Sequence, residues 1–103
     1  MDVHRLRWHV KIDPGAEEFF KKDVLSDDDK LVLRKWAQTI IEHGPEELQT
    51  TPSVWADHAL YGEWLGYRAS SFSHRGRIIY RVERQIVTVV VVKLTATHDY
   101  QKE

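Results

Sequence analysis

Four consecutive valines, Val89 to Val92, constrain this chain more than any other feature. β-Branched side chains are stiff at χ1 and crowd a helix, but they pack well on a pleated sheet. A run that is apolar at every position, rather than every second one, predicts a central strand covered on both faces. That strand is read as Ile86–Leu94. Upstream, Ile78, Tyr80 and Val82 alternate with Arg77 and Arg81, the period-two pattern of a strand over Arg77–Glu83. Only Arg84-Gln85 separates the two, so they are expected to pair as an antiparallel hairpin. A third strand is expected over Trp64–Ser73.

The first half reads differently. Leu6, Trp8, Val10 and Ile12 alternate with Arg7, His9 and Lys11, which predicts another strand, closed by Pro14-Gly15. A short helix over about residues 16–24 would turn Phe19 and Phe20 inward. Ser26 and Asp29 have capping-box spacing, and Asp27, Asp28 and Asp29 suit the positive end of a helix dipole. Val32, Leu33, Trp36, Ala37, Ile40 and Ile41 then recur at helical spacing until Gly44-Pro45 stops them. Residues 45–57 read as a connecting loop. The order is β-α-α-β-β-β, an α+β fold with two helices packed on one face of a largely antiparallel four-stranded sheet. Its 103 residues form one domain, 1–103.

Composition narrows the function. The chain has no cysteine, which excludes disulfides and Cys-based zinc or redox sites. His4, His9 and His43 lack ligand spacing, so neither a metal nor another cofactor is expected. No apolar run approaches a membrane span and no signal-peptide core opens the chain, so the expected home is cytoplasmic, with no membrane partner. Fifteen Lys and Arg face sixteen Asp and Glu, but unevenly. Residues 1–58 carry eight basic and twelve acidic side chains, and residues 59–103 carry seven and four. A basic face on a nearly neutral protein remains a usable footprint for phosphate.

Two histidines bracket that basic half, His58 before its first strand and His98 after its last. In a three-strand meander the two segments can approach each other. Paired imidazoles among guanidiniums suffice for metal-free RNA cleavage: a base takes the 2′-OH proton, an acid protonates the leaving 5′-oxygen, and Arg neutralises phosphoryl charge. The bland alternatives are a surface histidine at a strand end and five arginines, between residues 64 and 84, on a solvated sheet face. Trp64 and Tyr80 are expected in the core rather than as base-stacking platforms.

The run Asp57-His58-Ala59-Leu60-Tyr61-Gly62-Glu63-Trp64-Leu65-Gly66-Tyr67-Arg68, with Ile79-Tyr80 and Thr95-x-Thr97-His98 after it, resembles the RelE/ParE toxin superfamily and within it the YafQ-like branch. These motifs cover about the last 45 residues. The resemblance implies a bacterial toxin of a type II toxin–antitoxin pair, an endoribonuclease cutting mRNA in the ribosomal A site without metal. It further implies a cognate antitoxin as partner and an oligomer formed with it. Carried over by position, His58 and His98 become the acid/base pair and Arg68 a phosphate contact, with His74, Arg75, Arg77, Lys93 and Tyr100 on the RNA. The chain departs from the YafQ-like pattern at Ser71 and Arg75, where that branch often has His and Asp. His74-Arg75-Gly76-Arg77 and His98-Asp99-Tyr100 are instead similar to the YoeB-like branch. The same superfamily also contains ParE-like toxins that inhibit DNA gyrase without cutting, and a degenerate member binding only its antitoxin is a third reading. A gyrase binder has no evident use for His58 and His98.

Overall fold

A computed structural model describes residues 7–94, and in it the valine run lies inside the sheet. The elements are β1 (His9–Ile12), α1 (Pro14–Lys21), α2 (Asp27–His43), α3 (Pro52–Trp55), β2 (His58–Ala59), β3 (Arg68–Ser71), β4 (Gly76–Glu83) and β5 (Ile86–Leu94). Single 3-10 turns occupy Pro45–Gln49 and Gly62–Trp64. The strand order is β1-β5-β4-β3-β2, so β5 is flanked on both sides. Its pairing with β4 is antiparallel, as the short Arg84-Gln85 link requires, and its pairing with β1 is parallel.

The run is not a plain alternation. Ile79 pairs with Val91 but Tyr80 pairs with Val89, which leaves Val90 as a bulge. An extra residue shifts every later side chain to the other face. Val87 and Val89 face the core before the bulge, and Val92 rejoins them after it. Each helix adds to that core: Ala16 from α1, Trp36 and Ile40 from α2, Trp55 from α3. The Trp36 and Tyr80 rings meet edge to face with centroids 5.4 Å apart, a favoured aromatic geometry.

Helix α2 begins and ends on local chemistry. Ser26 Oγ accepts from the Asp29 amide at 3.0 Å, and Asp29 Oδ2 accepts from the Ser26 amide, the reciprocal pair of a capping box. Gly44 closes the helix at φ 90°, and a Cβ there would lie 2.9 Å from Trp8 Nε1. Glycine alone tolerates both demands.

Three expectations change. The sheet has five strands rather than four, because Asp57 anchors the following residues strongly enough for His58–Ala59 to pair with β3. The stretch 45–57 is not a plain loop: Pro45 and Pro52 each open a short helical turn, a position where proline's missing amide costs nothing, so a third helix is present. The strand expected over Trp64–Ser73 is shorter at both ends. Its first residue, Trp64, instead ends the Gly62–Trp64 turn and is 39% exposed rather than in the core. Among the described residues no helix is long and apolar enough to cross a membrane.

The β3–β4 turn closes over Phe72, whose buried ring fills the space beside Gly76. A Cβ on Gly76 would stand 2.4 Å from Phe72 Cζ. Gly76→Ala is therefore expected to cost about 1–3 kcal/mol by overpacking. Gly15→Ala, whose Cβ would meet only Asp13 Oδ2 at 3.6 Å in the first turn of α1, is expected to be neutral or slightly stabilising. Denaturant unfolding of the two variants compares them directly.

Candidate active site

Parity along β3, β4 and β5 sorts the candidate residues by face. Directly opposed residues of an antiparallel pair share a face. Ser70, Ile78 and Val92 form one cross-strand row on the core side, and Arg68 stands opposite Tyr80 on the same side. The other face carries His58, Ala69, Ile79 and Val91 in one row and Ser71, Arg77 and Lys93 in the next.

On the core side, Asp57 organises its neighbours. Its side chain is 0% exposed. Oδ1 accepts from Arg68 Nε at 2.7 Å, while Oδ2 accepts from Ser70 Oγ at 2.6 Å and from the Tyr80 hydroxyl at 2.5 Å. Ser70 Oγ in turn accepts from Trp36 Nε1 at 3.0 Å. One carboxylate thus ties the entrance of β2 to β3, β4 and α2. Burying a charge is costly unless it is paired and hydrogen-bonded, and here both conditions are met. Burial works against the Arg68 guanidinium, but its hydrogen bond and attraction to Asp57 outweigh that and raise its pKa. Burial also raises the Tyr80 pKa, with the hydrogen bond and charge of Asp57 adding to it and Arg68 offsetting only part.

On the open face the chemistry is exposed. His58 is exposed, and its Nδ1 lies 2.9 Å from the Ala56 carbonyl. A carbonyl only accepts, so Nδ1–H is the donor, and whenever the ring is neutral Nε2 is the nitrogen left able to accept. Arg77 Nη1 donates to the Gly76 carbonyl at 3.0 Å, which holds the guanidinium over the β3–β4 turn. Lys93, opposite Arg77, is exposed. Two strand spacings and two residues along the strand separate His58 from Arg77, about 12 Å between Cα atoms from standard sheet dimensions. A strand of RNA could lie between an imidazole and cations at that separation. His74 and Arg75 sit exposed in the turn at the end of this face.

The register brings His58, Arg77 and Lys93 to one face, with His74 and Arg75 at its end, and puts Arg68 on the other, 26% exposed and bound to Asp57. His98 and Tyr100 lie outside the described residues. Among the described residues no group of three His, Cys, Asp or Glu side chains could hold a metal ion. Asp57 is the residue sequence reasoning left without a role. A signal was available: Tyr80, expected in the core, needs a partner for its hydroxyl, and the Asp beside His58 was one of the two carboxylates in the motif that could accept it.

Neither a protein-family model nor a curated protein matches the chain. Solved structures do match. YafQ from E. coli strain BL21(DE3) aligns at TM-score 0.69 and 16% identity, over 86% of this chain and 94% of that one. The YoeB dimer structure from Staphylococcus aureus gives 0.66 at 18% identity, over 87% and 99%. A chain of the E. coli DinJ-YafQ toxin-antitoxin complex gives 0.62 at 17%, over 91% and 96%. The chain has the fold these proteins share, the RelE-like fold expected from its motifs.

The Asp57 network has a measurable signature. Because the native pKa of Tyr80 lies above its unfolded value, its contribution to stability is complete below about pH 10 and is lost as pH rises beyond that. Ultraviolet titration of the folded protein should show a phenol that ionises late, and Tyr80→Phe should remove that last phase.

Proposed function

We propose that this chain is the toxin of a type II toxin–antitoxin pair and that it cleaves mRNA on the ribosome. The observation that carries the reading is His58, its Nδ1 held at 2.9 Å from the Ala56 carbonyl, on the same open sheet face as Arg77 and Lys93. The fold shared with YafQ and YoeB, solved in complexes with DinJ and YefM, supports it. A cognate antitoxin is the expected partner, and a basic open face suits an acidic segment of it as well as RNA.

The chemistry runs as an internal displacement. His58 Nε2 takes the proton of a 2′-OH, and the alkoxide attacks the adjacent phosphorus. The bond from phosphorus to the 5′-oxygen breaks, leaving a 2′,3′-cyclic phosphate. His98 supplies the proton to the departing 5′-oxygen. Arg77 and Lys93 balance the charge that grows on the phosphoryl oxygens, and His74, Arg75 and Tyr100 extend the RNA contact. Arg68, on the opposite face, contributes through its bond to Asp57, which anchors the β2 entrance.

The test is induction of the protein in bacteria, with mRNA 5′ ends mapped and DNA integrity followed in parallel. Cleavage on translating ribosomes should appear before any effect on DNA synthesis. The reverse order, with gyrase-type breaks, would favour the ParE-like reading. His58→Gln is expected to lower the cleavage rate about 100-fold or more, the usual worth of a general acid or base. Arg77→Ala should lower it at least about tenfold with stability unchanged, whereas Arg68→Ala should also cost about 1–3 kcal/mol of stability by leaving Asp57 a donor short.

A further inference from the structure

We propose that Asp57 is a positioning residue, which fixes the tautomer and direction of the His58 ring through the backbone of Ala56. The inference rests on the proposed nuclease reading only for its effect on rate. Ala56 lies between the two effects. It adopts the left-handed conformation at φ 48°, one that a residue with a Cβ holds only where its surroundings over-determine it. Two contacts over-determine it: as the C-cap of α3 its own N–H donates to the Pro52 carbonyl at 2.9 Å, and the next residue is held fast. Asp57 is clamped by three donors from β3 and β4, so the peptide joining it to Ala56 has little freedom to turn. The Ala56 carbonyl, set by that turn, accepts the Nδ1–H of His58.

The consequence concerns protons rather than packing. A histidine without such a contact populates both neutral tautomers, and only one of them leaves Nε2 able to accept. Hydrogen bonding to the second ring nitrogen is the usual way an acid/base histidine is held in one tautomer. Here a main-chain carbonyl makes that bond, and the carboxylate acts one step behind it. The carboxylate and the imidazole are on opposite faces of the sheet, so Asp57 influences the ring without sharing the substrate's side.

The test reads the ring directly. Long-range nitrogen–proton correlation spectra of the full chain identify which nitrogen of His58 is protonated at a pH where the ring is neutral. Wild type should show Nδ1–H alone. In Asp57→Asn the amide nitrogen can face the Ser70 and Tyr80 hydroxyls, which can turn to accept, so the fold can survive. His58 should then show both tautomers, with kcat for RNA cleavage at least about tenfold lower and KM little changed. A folded Asp57→Asn protein whose His58 keeps a single Nδ1–H tautomer would overturn the proposal. If that variant does not fold, Tyr80→Phe removes one donor and keeps the charge. A second His58 tautomer is expected there, and its absence would equally overturn the proposal. Loss of the fixed tautomer in a protein that never cleaves RNA would uphold the positioning role and remove the nuclease reading instead.

Discussion

A carboxylate with no exposed surface sits where the chain enters the short strand β2, and most of the architecture around the site follows from satisfying it. Asp57 would carry a desolvation penalty of several kcal/mol if left alone in the interior. Instead a guanidinium and two hydroxyls converge on its two oxygens, and the indole of Trp36 completes the chain through Ser70. The arrangement leaves little choice of register. Ser70 and Arg68 must both face the helices, which sends Ala69 and Ser71 to the other side of β3. The same constraint pulls residues 57–59 against β3, and pairing of so short a strand depends on it.

That constraint divides the candidate chemistry into two layers. The core side carries a closed network whose members answer one another and have little surface to offer. The open side carries an imidazole, a guanidinium and an ammonium in two adjacent rows, with a basic turn at one end. Three arginines drawn into one patch by sequence proximity therefore have different partners: Arg68 holds Asp57, Arg77 holds the Gly76 carbonyl, and Arg81 lies 3.8 Å from Glu83. Local charge density located the surface, and register separates its open-face members from the arginine bound to the core-side carboxylate.

Local chemistry was legible where it is local. The capping box at Ser26, the stop at Gly44 and the hairpin at Arg84-Gln85 depend on residues a few positions apart, and all three form as expected. The bulge at Val90 could not be read, because four identical side chains conceal which one is extra. The parallel pairing of β1 with β5 joins residues more than seventy positions apart and leaves no periodic trace. Trp64 was misplaced for a related reason: it lies in a run rich enough in aromatics for a strand, but glycines at 62 and 66, both at positive φ, turn the chain before it can pair. For the site, the histidine and the basic face were visible in the sequence. The face on which Arg68 lies was not, since period-two alternation fixes relative but not absolute orientation.

Fold similarity alone does not fix the chemistry of cleavage. If an imidazole on the open face activates a 2′-OH, the fragments must end in a particular way. The most direct measurement is the end-group chemistry of mRNA cut by the purified protein on programmed ribosomes. A 2′,3′-cyclic phosphate, or the 3′-phosphate it hydrolyses to, opposite a 5′-hydroxyl is the predicted result. A 3′-hydroxyl opposite a 5′-phosphate would mean that water attacked instead, and would contradict the mechanism.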